Sequence, residues 1–201
     1  LELTNISGRN INLDKWKISD GNSIATFTGT FMLQADSQVI ICPRAFTASL
    51  SVFGATIGVS AFPSLDNSGD LIVLISPDGK TVHAISYKSE WFKNQLKQDG
   101  GWSLEMIDIR MPCKEGDNWI ASVADIGGTP GKINSVKDSI PDKSPPILLR
   151  TYTIDSLTIA AVFNGSMDST FSAIPQRYNL GSGIGQPISA STKAPLFREV
   201  V

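Results

Sequence analysis

Apolar and polar residues alternate in short stretches along the chain, at 1–6, 13–19, 25–31, 38–42, 71–76, 81–87, 101–107 and 118–121. Almost every gap between them carries Gly, Asn, Asp or Pro, and no segment sustains a 3.6-residue period. Short, punctuated strands of this kind predict an antiparallel β-sandwich rather than a βαβ fold. The clearest hairpin joins 71–76 to 81–82 through Pro77-Asp78-Gly79, where Pro presets φ at the second turn position and Gly accepts the left-handed one. Residues 45–65 lack clean alternation and read as a long surface loop anchored by Phe46, Phe53 and Phe62. A second region begins after 136–146, VKDSIPDKSPP, whose prolines and charges predict an extended linker. Beyond it Leu157, Ile159, Ala161 and Phe163 alternate with smaller residues as the inner face of a strand, and 196–201 reads as another.

Composition sharpens this picture in two places. With 201 residues, 41% of them hydrophobic, the chain is long enough to bury a core. Its 17 basic and 19 acidic residues nearly cancel, which argues against a nucleic-acid partner held by charge. The longest uncharged apolar run, 71–76, is far below the roughly 18 residues that cross a bilayer. The first residues lie within a strand-like alternation and carry no signal peptide, which points to a fragment with a targeting sequence upstream.

Certain stations, each weak by itself, are specific together. They are Glu2-Leu3-x-Asn5-x-Ser7, Leu13-x-x-Trp16-x-Ile18-x-Asp20, Asn67-x-Gly69-Asp70 before Leu71-Ile72-Val73-Leu74, Pro77-Asp78-Gly79, Ser103-Leu104-Glu105, Asn118-Trp119, and Gly128-Thr129-Pro130-Gly131-x-x-Asn134-Ser135. Together they resemble the lamin tail domain, an immunoglobulin-like β-sandwich that also occurs in bacterial extracellular proteins. Residues after the linker, including Val162-Phe163-Asn164-Gly165-Ser166-Met167-Asp168, are similar to the opening half of a bacterial immunoglobulin-like repeat. The resemblance implies an all-β chain: an immunoglobulin-like antiparallel sandwich over 1–136, a linker over 137–146 and a partial immunoglobulin-like β-domain over 147–201. It also implies that Leu1-Glu2-Leu3 matches the second strand of the family, so that one edge strand is missing.

The candidates for chemistry are few, and no cofactor is expected. His83 is the only histidine, and it sits in a strand pattern without the partners a general base needs. Asp66-Asn67-Ser68-Gly69-Asp70 has oxygen ligands at calcium-loop spacing, yet lacks the rest of such a loop, and side-chain capping of a turn is the preferred reading. Gly127 to Lys132 has the wrong order of Gly and Lys for a phosphate loop, and Pro130 removes a backbone donor. Lys88, Trp91, Phe92, Lys93 and Lys97 form the best candidate binding surface, against the simpler reading of aromatics tucked onto the sandwich. Trp16 and Trp119 lie in alternating patterns and are expected in the core. Two readings of the cysteines stand side by side: a Cys42–Cys113 disulfide, which an exported location permits, or two independent thiols with Cys42 buried.

By resemblance, the expected function is a noncatalytic binding or spacer module of a bacterial exported or cell-surface protein. Its location would be extracellular, periplasmic or at the cell surface, its partner a protein or glycan there, with homo-dimers formed through exposed strand edges. The alternative is a set of accessory domains of a larger secreted hydrolase, a nuclease or phosphoesterase, whose catalytic part lies outside this chain. A nuclear scaffold role would call for a coiled-coil rod, and no heptads occur.

Overall fold

In the computed structural model, which describes residues 1–139 and 145–201, the chain forms two compact units, Leu1–Pro141 and Asp142–Val201. The part of the expected linker at 140–144 lies outside the described residues.

The regular structure of the first unit is mostly short strands joined by loops and turns. In chain order these are β1 (Glu2–Thr4), β2 (Ile11–Asn12), β3 (Lys17–Ser19), β4 (Ile24–Thr26), β5 (Met32–Leu33), β6 (Gln38–Pro43), β7 (Thr56–Val59), β8 (Gly69–Ile75), β9 (Thr81–Lys88), β10 (Leu104–Met106) and β11 (Trp119–Ala121). Two single-turn helices, α1 (Thr47–Leu50) and α2 (Gln95–Gln98), interrupt them. One sheet has the order β1-β6-β7, another β4-β3-β8-β9, and β2-β5 and β10-β11 are two-stranded ribbons. Strand β1 pairs with β6 alone and is the outer strand of its sheet.

The core follows from the strands' inward positions. Leu13, Ile18, Ala25, Phe27, Leu33, Val39, Ile41 and Val59 form one buried cluster, with Trp16 and Phe62 among the residues packed against it. Four successive residues of β6, Val39 to Cys42, are buried, because this central strand is covered on both faces and has no reason to alternate. The hairpin β8–β9 closes as the sequence predicts: Ser76 N–H donates to Lys80 C=O at 2.9 Å and Gly79 adopts φ 83°. Lys80 lies 2.7 Å from Asp78 and, with the Ser76 hydroxyl, holds that exposed carboxyl down to about 2.

The region 45–65 is not the surface loop expected. It contains α1 and then β7, which pairs in parallel with β6 and buries Val59. Gly58 explains why its alternation is weak: a side chain there would collide with the Thr47 hydroxyl and come within 3.0 Å of Arg44 Cα, so the helix and strand approach each other over a glycine.

Among its described residues the second unit has three strands, β12 (Leu148–Thr153), β13 (Ile159–Phe163) and β14 (Glu199–Val200), in the order β12-β13-β14. The alternation at 157–163 predicts β13, whereas β12 carries no periodic signal because all six of its residues are exposed.

Candidate functional site

The family-like polar stations converge on three hydrogen-bond knots inside the first unit. Asn5 is 3% exposed, and its Nδ2 donates to the carbonyls of Arg9 (2.7 Å), Leu33 (3.1 Å) and Gln34 (3.0 Å). Its Oδ1 accepts from Ser7 N–H at 3.0 Å and the Ser7 hydroxyl at 2.7 Å. One amide thus satisfies the turn between β1 and β2 and the end of β5. Replacing Asn5 with Ala should lower unfolding stability by about 1–3 kcal/mol, measured by denaturant titration, because it leaves these buried groups unpaired.

Asn118 is fully buried ahead of β11. It accepts from Asp108 N–H at 2.8 Å and donates to the carbonyls of Asp108 at 2.7 Å and Met111 at 2.8 Å, pinning the loop between β10 and β11.

Glu105, on β10 and 5% exposed, is the third knot. Its Oε2 accepts from Ser135 N–H at 2.8 Å and the Ser135 hydroxyl at 2.7 Å, and its Oε1 from the Thr129 hydroxyl at 2.8 Å and the Ser103 hydroxyl at 3.2 Å. Burial pushes this carboxyl up, but the hydrogen bonds from Ser135, Thr129 and Ser122 outweigh it and hold the group below its ordinary value. Glu2 reaches the same closing segment, accepting from Gly131 N–H at 2.6 Å. Here burial dominates and the Glu2 carboxyl lies above its ordinary value. The segment 128–135 is therefore a clasp, as its glycines and terminal Asn-Ser suggest, and Asn134 Nδ2 adds a bond to Met106 C=O at 2.8 Å.

The stretch 88–97 is brought together only in part. Lys88 and Lys93 are exposed, whereas Trp91 and Phe92 are half-buried in a 3₁₀ turn, with the Trp91 indole against Gly116. Lys97 is half-buried. Its Nζ sits 3.9 Å above the Trp102 ring and donates to Ser122 C=O at 2.6 Å. Beside it runs a shallow groove of about 610 Å³, bordered by Phe53, Trp102, Ile126 and Pro130 and by the backbone of Gly101 and Gly127. The sequence reading did not single out Trp102 or Ile126. A signal was present in Ile126, an apolar residue placed in a glycine turn and 77% exposed.

The remaining candidates have structural surroundings. His83 is half-buried on β9, and burial holds its imidazole below its ordinary value, so it is neutral at pH 7. In the Asp66 to Asp70 loop, Asp70 Oδ1 accepts from Leu71 N–H at 2.7 Å and the Tyr87 hydroxyl donates to Asp66 C=O at 2.6 Å, as expected of turn capping. Among the described residues, no three His, Cys, Asp or Glu side chains gather as a metal site. Trp16 packs on the core, and Trp119 is half-buried with Nε1 enclosed. The Cys42–Cys113 disulfide is corrected: the two are not bonded, because Cys42 is sealed within β6 while Cys113 is exposed in the loop after β10. No described helix is long and apolar enough to cross a membrane.

Residues 1–89 match the family model described as Lamin Tail Domain. No curated protein and no solved structure matches the chain significantly. The match ends at the close of β9, yet the clasp at Glu2 and Glu105 holds later residues in the same unit.

Proposed function

We propose, from the premise that residues 1–89 are a lamin tail domain, that this chain is a noncatalytic binding or spacer module of an exported or cell-surface protein. Its two β-units, 1–136 and 147–201, would be joined through 137–146. The observation that carries this reading is the use made of the polar side chains. Asn5, Glu105 and Asn118, which in a catalytic site would point at a substrate, are buried and committed to backbone amides, carbonyls and hydroxyls of the fold itself. His83 is half-buried on β9, where burial favours its neutral form. A spacer needs this kind of internal anchorage, since its task is to hold shape under load rather than to present a reactive group. The purified chain, screened against broad panels of hydrolase and phosphoesterase substrates, should give no turnover above buffer. Turnover abolished by a point substitution within these residues would overturn the reading.

A further inference from the structure

We propose that β12 pairs antiparallel with β12 of a second copy of this chain, about a two-fold axis through Thr151. The first observation is an open edge. In the second unit β13 is central, and the far side of β14 is occupied, because Lys193 N–H donates to Glu199 C=O and Ser191 and Val201 exchange bonds, each at 2.8 Å. Among the described residues no strand lies on the outer side of β12, and all six residues from Leu148 to Thr153 are exposed, Leu149 at 62% and Tyr152 at 38%. A leucine- and threonine-rich edge without proline is a template for strand addition.

The second observation fixes which backbone groups are available. Ile154 N–H donates inward to Thr158 C=O at 2.9 Å, in the register that pairs Tyr152 with Ala160 and Arg150 with Val162. Inward bonding alternates along an antiparallel strand, so Ile154, Tyr152 and Arg150 bond inward, while Thr151 and Thr153 direct N–H and C=O outward. A two-fold axis through Thr151 lets the two Thr151 residues exchange both bonds.

The third observation selects a second copy as the occupant. A two-fold axis normal to the sheet keeps each residue on its own face, so only residues of like parity can stand opposite each other. An axis through Arg150 would set arginine against arginine. The axis through Thr151 sets Arg150 against Tyr152 twice, while the register shift between Leu148 and Arg150 leaves Leu148 outside this row. Arg150 already lies 5.2 Å from the Tyr152 ring within one strand, so the paired strands form a row of alternating cations and rings. The strand is its own complement, as an isologous interface requires. The proposal does not rest on the noncatalytic reading, since turnover in the screen would remove that reading and leave this one standing.

The test is sedimentation equilibrium of the full chain combined with amide hydrogen exchange across a concentration series. The expected result is twice the monomer mass at high concentration, with the Thr151 and Thr153 amides slowing as dimer forms. Thr151→Pro removes only an outward N–H and is tolerated on an edge strand, so it should weaken association at least about tenfold while leaving the far-ultraviolet spectrum unchanged. A chain monomeric at the highest attainable concentration overturns the proposal. So does a dimer whose new protection arises at the β1 edge instead of Thr151. Exchange on the unsubstituted chain decides the matter even if the proline variant fails to fold.

Discussion

Glu105→Ala should destabilise the first unit by about 3–5 kcal/mol in a denaturant titration, the loss expected when a buried charged acceptor is removed and its donors are left behind. Ser135 N–H, the Ser135 and Thr129 hydroxyls and the Ser103 hydroxyl all point at this carboxylate. An alanine leaves a space lined by donors, and the clasp 128–135 loses its tie to β10. Glu105→Gln keeps the size and one acceptor oxygen, so it should cost less.

The pH dependence carries a definite sign. The folded Glu105 carboxyl lies below its unfolded value, so its stabilisation is present above the ordinary carboxylate range and is lost as pH falls through the folded value. The stability gap between the unsubstituted chain and Glu105→Gln should therefore narrow on acidification. Glu2 acts in the opposite sense. Its folded value is raised, chiefly by burial, so its contribution is full below the unfolded value and is lost as pH rises through the folded one. The two carboxylates partly cancel in the whole protein's profile, which is why the difference between variants is the quantity to measure. A gap that stays constant from neutral to acid pH would show that the Glu105 carboxyl titrates alike in the folded and unfolded states and is not held down by its donors.

Phe27→Ala should lower stability by about 3–5 kcal/mol, the usual cost of emptying a phenylalanine site in a close-packed core. Phe27 is 1% exposed and is the largest fully buried side chain among the described residues. Its backbone is also held, with Phe27 N–H donating to Trp16 C=O at 2.8 Å and Lys15 N–H donating to Phe27 C=O at 3.0 Å. Because these bonds survive the substitution, the loss reports packing alone. Thermal unfolding followed by circular dichroism would show it as a lowered midpoint with unchanged strand content. A midpoint shift no larger than that of a surface substitution would contradict the placement of Phe27 in the buried cluster.

Much of the fold is written in local pattern. The alternation at 81–87 specifies β9, the Pro-Asp-Gly turn specifies the β8–β9 hairpin, and the run at 38–42 marks β6. Each of these depends on neighbours within a few residues, which is the range over which periodicity and turn chemistry act. The family stations were equally legible as residue types at fixed spacings. Their role was not, because it depends on partners far away in the chain: Asn5 meets Leu33 and Gln34, Glu2 meets Gly131, and Glu105 meets Ser135.

The sequence by itself determined an all-β chain and the match of residues 1–89 to the lamin tail domain, because both rest on residue types at locally fixed spacings. Tertiary structure alone decided the rest. It placed the parallel strand β7, whose pattern Gly58 breaks so that α1 can approach, and it set Lys97 over Trp102. It left Cys42 sealed in β6 and apart from Cys113, and it exposed β12 as an open edge. The physical reason is common to all four: each outcome depends on which distant backbone comes within van der Waals or hydrogen-bond reach, and that proximity is a property of the packed sheets rather than of any stretch of residues.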